Sequence, residues 1–460
     1  MIHFPRDGAL ESVADEALIR SWRDGLRSDP YRSYLYAYPH KTAYREFDAP
    51  KPLSELWNGE PAETFFLYMH IPFCGARCGF CNLFTLPDKR TGVHEQYVDA
   101  LERQARQWAP YVTRKPFARF AIGGGTPTLL APALLERLFD IAERVMGVDT
   151  SRVSISVETS PETVTGDRLQ ILRDRQVDRV SMGIQSFVDS EASAIYRPQK
   201  PREVERALDL LKAYRFPVLN LDLIYGLPGQ TVESWMYSLE RALAYDPEEI
   251  FIYPLYTREH TIVKPGDIRG SEGESDLRLA CYLAARDRLA AAGYVQSSMR
   301  RFAKADAGSV KPLLPYGCQE EGMVGLGCGA RSYTRGVHYA SRYAVSKGAT
   351  AGIIADYVAA ERYDTADYGI ELNLPEQQRR YVLKAILHRE GLELAGYLAR
   401  FGSEALGDHP ELGLLLRSEL AEVEEGVLRL TDEGLAYSDA IGDWMITPAI
   451  RERMEGFVFA

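Results

Sequence analysis

Between residues 65 and 256 the chain alternates short β-rich runs with helical segments, and this alternation limits the fold more than any other feature. Phe65 to Ile71 (FFLYMHI) is a short apolar run with strand character. His94 to Trp108 has the helical spacing of Tyr97, Leu101 and Ala105. Phe117 to Ile122 reads as a strand, followed by a glycine loop and a helix around Pro132 to Val145. The pattern then repeats as SRVSISVE, TGDRLQILRDR, VDRVSMGIQ, PREVERALDLLKAY, PVLNLDLIYG, TVESWMYSLERALAY and EEIFIYPLY. Strands separated by helices of about 10 to 15 residues build βαβ units around a parallel sheet. Six such strands fall short of a closed (β/α)8 barrel, so the expected fold class is α/β, a partial (β/α)6 barrel with its sites at the carboxyl ends of the strands.

Around this barrel, expected over 61–270, the sequence changes texture. Residues 1–60 are rich in Tyr and Pro, show no sustained period, and read as an irregular lead-in packing on the barrel. Residues 271–370 hold a connecting helix (DLRLACYLAARDRLAAAGY) and a stretch read as irregular and Gly-rich, YGCQEEGMVGLGCGARSYT. Residues 371–460 are helical and end in a short apolar strand before a Thr-Asp-Glu-Gly helix start, as in a small winged-helix-like module.

Composition removes several functions. With 54 Lys plus Arg against 65 Asp plus Glu, the net charge is -11, and no long basic run supplies a nucleic-acid face. No stretch approaches the roughly 18 uninterrupted apolar residues of a membrane helix. Acidic residues stand where a signal peptide would have its apolar core, so a soluble cytoplasmic protein is expected.

Three of the six cysteines fall within eight residues, as Cys74-Gly-Ala-Arg-Cys78-Gly-Phe-Cys81. In a reducing compartment such a cluster binds metal or does redox work more often than it forms a bridge. Structural zinc takes four protein ligands, and Leu83 occupies the obvious place for a fourth thiol. A catalytic zinc with three thiolates and an open position remains open as a reading. A [4Fe-4S] cluster on three cysteines, with one iron left to bind another ligand, matches better.

The C-x3-C-x-F-C spacing resembles that of the radical SAM superfamily. More narrowly, the chain is similar to the oxygen-independent coproporphyrinogen III oxidase family. The motifs that carry this are Tyr68-Met-His-Ile-Pro-Phe-Cys, Ile122-Gly-Gly-Gly-Thr-Pro-Thr128, Glu158, Arg179-Val-Ser-Met-Gly-Ile-Gln-Ser-Phe187, Arg197-Pro and Asp222-Leu-Ile-Tyr-Gly-Leu-Pro-Gly-Gln-Thr231. The resemblance implies Cys74, Cys78 and Cys81 as ligands of a [4Fe-4S] cluster whose fourth iron chelates S-adenosylmethionine (SAM). It implies contacts to SAM from the loop with Gly124, Gly125 and Thr126, from Glu158, Gln185, Arg197 and Asp222, and from Phe80 near the adenine. Tyr68 would touch substrate or orient the cluster region, or be an ordinary strand aromatic. A second SAM would meet Gly125, Thr126, Pro254 and Arg331. Cys318 and Cys328 flank the Gly327-Cys-Gly-Ala-Arg331 loop as a candidate thiol pair, with Cys318 the candidate catalytic thiol, while His70 reads as structural and Arg77 as offsetting thiolate charge or solvated.

The expected reaction is reductive cleavage of SAM to a 5'-deoxyadenosyl radical that takes hydrogen from a small organic substrate, with an electron donor such as flavodoxin or ferredoxin. Three departures set the chain apart from a coproporphyrinogen decarboxylase: Asn82-Leu83 after the last cluster cysteine, the segment Tyr-Pro-His-Lys-Thr-Ala-Tyr-Arg at 38 to 45, and Cys318-Gln-Glu-Glu-Gly-Met-Val. The His-Asn-x-x-Tyr-Trp signature of the heme-chaperone relative is absent. These segments look closest to the class C radical SAM methylases, and to a bacterial subfamily beside them, in which a second SAM serves methyl or methylene transfer. Oxidative decarboxylation and a non-enzymatic heme or porphyrin chaperone are the alternatives. Arg300, Arg301 and Arg331 are candidates for an anionic substrate pocket.

Overall fold

The computed structural model describes residues 16–31, 34–35, 37–197, 199–257, 261–263, 277–305 and 322–458. Among these, thirteen strands form one sheet. They are β1 (Arg45–Pro52), β2 (Phe65–Ile71), β3 (Phe117–Gly124), β4 (Ser154–Thr159), β5 (Arg179–Gln185), β6 (Val218–Tyr225), β7 (Glu249–Pro254), β8 (Tyr294–Gln296), β9 (Arg301–Lys304), β10 (Met323–Leu326), β11 (Arg331–Tyr333), β12 (Val337–Ala340) and β13 (Thr365–Glu371). Their order is β1-β13-β12-β11-β10-β2-β3-β4-β5-β6-β7-β9-β8.

The six strands read from the alternation, β2 to β7, run parallel in sequence order. Their burial is nearly continuous, six of seven residues in β2 for example, as expected for parallel strands covered on both faces. The covering helices are amphipathic. In Thr91–Val112 the buried residues Tyr97, Leu101, Ala105 and Trp108 recur at helical spacing and face the sheet. Helix Pro201–Tyr214 does the same with Val204, Ala207, Leu208 and Leu211.

The expected six-stranded unit is extended by one parallel strand. β10 pairs with β2 in parallel, with Gly325 beside Tyr68, so the stretch read as irregular contains sheet. Its four residues, Met-Val-Gly-Leu, are all buried and lie between glycines, too short a run for any period to show. Antiparallel strands β11, β12, β13 and β1 continue the sheet on that side. The lead-in is likewise less irregular than its composition implies. It forms a helix (Glu16–Ser28) and the edge strand β1, where prolines are tolerated because one side of the strand needs no ladder bonds.

After β13 the chain forms helix Leu374–Ile386, β14 (Leu392–Glu393), helices Leu394–Phe401 and Glu411–Arg417, then β15 (Ala421–Glu424) and β16 (Val427–Leu430). The last three strands make a small antiparallel sheet in the order β14-β16-β15, the helix–strand sequence of a winged helix. Its core includes Val382, Leu383, Leu415 and Ile441, and Trp22, Leu26 and Tyr44 from the lead-in complete it. Among the described residues no helix is long and apolar enough to cross a membrane.

Candidate functional site

The cysteine loop leaves the carboxyl end of β2 and is docked on the glycine loop that ends β3. Gly125 N–H donates to Ile71 O (2.7 Å) and Thr126 N–H to Phe73 O (2.7 Å). A Cβ on Gly125 would lie 2.4 Å from Phe73 O and 2.9 Å from Cys74 Sγ, so this approach admits only glycine. On the far side, Gly79 N–H donates to Ile195 O (2.7 Å), and Gly79 O accepts from Ile262 N–H (2.8 Å). Phe80 packs with Ile195, Ile224, Leu227, Leu255 and Val263, which seats the loop on the strand ends of β6 and β7. Arg77, half-buried, donates to Val345 O and to Cys81 O (3.4 Å).

The thiols are partly buried and each has a polar neighbour. Thr126 Oγ1 lies 3.9 Å from Cys74 Sγ, Arg197 donates to Cys78 Sγ (3.4 Å), and Thr85 Oγ1 lies 3.7 Å from Cys81 Sγ. Burial, with Cys81 and Cys78 beside it, pushes the Cys74 thiol up to about 12. Among the described residues no three His, Cys, Asp or Glu side chains converge on the position of a single metal ion.

Two carboxylates come from β4 and β6, the strands on either side of β5. Gly124, at φ +112°, donates its N–H to Glu158 Oε2 (2.9 Å), and a Cβ on Gly123 would sit 2.9 Å from the same carboxyl. The glycines therefore open the space Glu158 fills. Burial pushes its carboxyl up to about 7, partly opposed by the Gly124 bond. Asp222 accepts from Asn220 Nδ2 (2.8 Å) and from Ser181 Oγ (3.4 Å). Burial pushes it up to about 6, opposed by the Arg179 cation. Arg179 lies deeper in the barrel, ion-paired to Glu249 (2.8 Å) and bonded to Ser156 Oγ (3.1 Å).

Gln185 ends β5 with φ +70°, beside a register shift against β6, which turns the chain at the strand end. Arg197 donates to Gly183 O and to Gln199 Oε1 (2.7 Å) as well as to Cys78, linking β5 to the cysteine loop. Tyr68 and His70 share one face of β2, with Tyr68 Oη 3.3 Å from His70 Nδ1. His70 also lines the cavity: its Nε2 lies 2.9 Å from Phe84 O, its ring abuts Gly124 and Gly329, and burial lowers it to about 4.

One cavity of about 890 Å3 joins these groups. Its lining includes Tyr68, Cys74, Cys78, Phe80, Cys81, Gly124, Gly125, Thr126, Glu158, Gln185, Arg197, Asp222, Pro254 and Arg331. The candidate cluster and SAM residues are thus brought together, Cys328 is not among the lining residues, and Cys318 lies outside the described residues. Cys328 is buried with its Sγ 3.9 Å from Tyr97 Oη, and burial pushes its thiol up to about 12. Cys281 is buried in helix Leu277–Ala291.

Two of the three arginines read as an anion pocket are engaged by protein carboxylates. Arg301 pairs with Glu249. Arg300 pairs with Asp439 of the C-terminal module, shares Tyr256 Oη with it, and stacks 3.8 Å over the Tyr34 ring. Tyr34, Tyr256 and Asp439 come from three separate segments and all line the cavity, and sequence spacing gave no sign of them.

As a donor set the loop fits a [4Fe-4S] cluster: three thiols of one short loop open into one cavity beside donors aimed at sulfur. The half-buried acceptors Glu158 and Asp222 suit the ammonium and hydroxyl groups of a second ligand next to it.

Residues 68–242 match the Radical SAM superfamily. Over 402 residues the chain is 29% identical to an oxygen-independent coproporphyrinogen III oxidase of Bradyrhizobium diazoefficiens, spanning 84% of this chain and 85% of that one. Over 372 residues it is 27% identical to a heme chaperone of Bacillus subtilis, spanning 80% of this chain and 95% of that one. The solved structure of Escherichia coli coproporphyrinogen III oxidase shares the fold at a TM-score of 0.73 and 22% identity, covering 91% of this chain and 99% of the other.

Proposed function

We propose that this chain, which carries a radical SAM domain over residues 68–242, cleaves SAM reductively and directs the product at a small organic substrate held in the same cavity. The superfamily implies a [4Fe-4S] cluster and SAM. When bound, the cluster supplies the electron that breaks a carbon–sulfur bond of SAM.

The observation that carries this reading is the single cavity that gathers three thiols, the glycine loop and two half-buried carboxylates. Cys74, Cys78 and Cys81 hold the iron. Backbone groups of Gly124 and Gly125 and the Glu158 carboxylate orient the amino-acid part of SAM, and Asp222 and Gln185 its ribose. Asn220 and Ser181 fix the Asp222 carboxylate by bonds of 2.8 and 3.4 Å, so little reorganisation accompanies binding. Phe80 and its apolar neighbours exclude water beside the loop. Tyr68 is on the cavity wall, where its hydroxyl is available to substrate or to orient the cluster region.

A volume of about 890 Å3 is near the upper end of the ordinary range for one small-molecule site, roughly 300–1,000 Å3. That room favours SAM together with a sizeable co-ligand, and a second SAM beside Pro254 and Arg331 is one candidate. The reaction assay separates the possibilities. Anaerobically reconstituted protein with dithionite and SAM is expected to release 5'-deoxyadenosine. Its absence from protein carrying a full complement of iron and sulfide overturns the proposal. S-adenosylhomocysteine formed alongside assigns methyl or methylene transfer, and 5'-deoxyadenosine alone assigns hydrogen abstraction of the oxidase kind.

A further inference from the structure

The cysteine loop is approached from outside as well as from the cavity. Cys74, Gly75, Ala76, Arg77, Cys78 and Cys81 are all half-buried, so the loop comes to the surface. Among the described residues before position 270, four large apolar side chains are exposed, Leu83, Tyr196, Tyr237 and Ile262, and all but Tyr237 flank this loop. The Tyr196 ring, 59% exposed, lies against Gly79, where a Cβ would stand 2.8 Å from its Cδ2. Ile262, 48% exposed, donates its N–H to Gly79 O at 2.8 Å. Leu83, 42% exposed, follows Cys81 by two residues and also borders the cavity. Exposed apolar residues scattered singly mean little, but three around one short loop mark a contact surface.

The rim of this face is positive in a chain whose net charge is -11. The Arg77 guanidinium donates to the carbonyls of Val345 and Cys81, which leave its charge uncancelled. Exposed Lys347 stands two residues beyond Val345. Exposed Lys89 follows Asp88, whose N–H donates to Cys74 O (3.2 Å), and exposed Lys200 follows Gln199, the acceptor of Arg197. Asp88 is ion-paired to Arg90 (2.5 Å). Glu162, whose carboxyl abuts Gly75, and Glu203, one turn beyond Lys200, oppose the cations without balancing them. A small apolar centre with a charged rim is the anatomy of a transient encounter, in which charge steers association and the area stays small.

We propose that this face docks an acidic one-electron carrier protein, the reductant of the reaction. This rests on the function proposed above, whose cleavage step takes up one electron. The reduced carrier loses that electron and the cluster held by the loop gains it, with no proton or group exchanged. Tyr196 and Ile262 exclude water at the centre of the contact, and Arg77, Lys89 and Lys347 attract the carrier's carboxylates.

The probe is flavodoxin, a small acidic carrier, and the protein is the anaerobically reconstituted full chain as wild type, Tyr196→Ser/Ile262→Ser and Lys89→Glu/Lys347→Glu. Flavodoxin binding is measured by thermophoresis at low and high salt. Formation of 5'-deoxyadenosine is measured with reduced flavodoxin and with dithionite, a small reductant that needs no docking surface. The expected result is wild-type binding that weakens as salt rises and is about tenfold weaker at low salt in each variant. Flavodoxin-driven formation falls in step, while iron content and the dithionite-driven rate stay at wild-type values. Wild-type binding in either variant, or an equal loss of the dithionite-driven rate, overturns this inference alone. So does a wild type that binds no flavodoxin, or one that forms a dimer lost in Tyr196→Ser/Ile262→Ser, which gives the face to a second copy. A fully loaded wild type that releases no 5'-deoxyadenosine with dithionite overturns the functional reading and this inference with it.

Discussion

Replacing Glu158 by glutamine tests whether the cavity holds its carboxylates at a cost to the fold. Burial pushes the Glu158 carboxyl from the usual 4.5 up to about 7. At about 1.4 kcal/mol for each tenfold change in the proton equilibrium, ionisation costs the folded chain about 3 kcal/mol more than the unfolded one. The sign follows from the direction. The folded state holds this proton more tightly, so below about pH 4.5 both states are protonated and nothing is lost. Stability then falls as the pH rises, and the full cost is present above about pH 7. Glutamine keeps an oxygen to accept the Gly124 N–H and carries no charge. Glu158→Gln is therefore expected to stabilise the metal-free protein by about 3 kcal/mol at pH 8 and by almost nothing near pH 4.5. The assay is urea unfolding of apo wild type and variant across that range. A difference that does not change with pH, or a wild type that is more stable at pH 8, refutes the reasoning. The same variant should bind SAM at least tenfold more weakly, since the acceptor is built for a cation.

Other consequences follow from contacts of the same site. Gly125→Ala forces a Cβ against Phe73 O and Cys74 Sγ, so the loop must shift, and the reconstituted variant is expected to retain well under half the wild-type iron. Full iron content in that variant contradicts the docking described here. Arg300→Met leaves the buried Asp439 carboxylate unpaired and should cost about 3–5 kcal/mol in urea unfolding. Adding Asp439→Leu should recover much of that loss, and a double variant no more stable than the single one argues against the pair.

The barrel was legible because its strands are buried on both faces and separated by helices with clear apolar stripes, as in FFLYMHI before the Tyr97, Leu101 and Ala105 face. The cysteine spacing was legible because the three thiols are close in the chain, and the strand-end polar residues because a parallel sheet brings the carboxyl ends of its strands together. β10 escaped notice because four buried residues between glycines carry no period. Tyr34 and Asp439 escaped it because their positions depend on how separate segments pack. Arg300, Arg301 and Arg331 all line the cavity, but a sequence does not reveal that Asp439 and Glu249 already face the first two.

The central claim is that the three thiols and the two half-buried carboxylates serve one composite ligand site. Electron paramagnetic resonance of the dithionite-reduced protein, recorded before and after SAM is added, tests it most directly. The expected result is a cluster signal that changes on SAM addition in the wild type, keeps its SAM-free form in Asp222→Asn, and is absent when Cys74, Cys78 and Cys81 are all replaced by alanine. A wild-type signal that saturating SAM leaves unchanged would contradict the account.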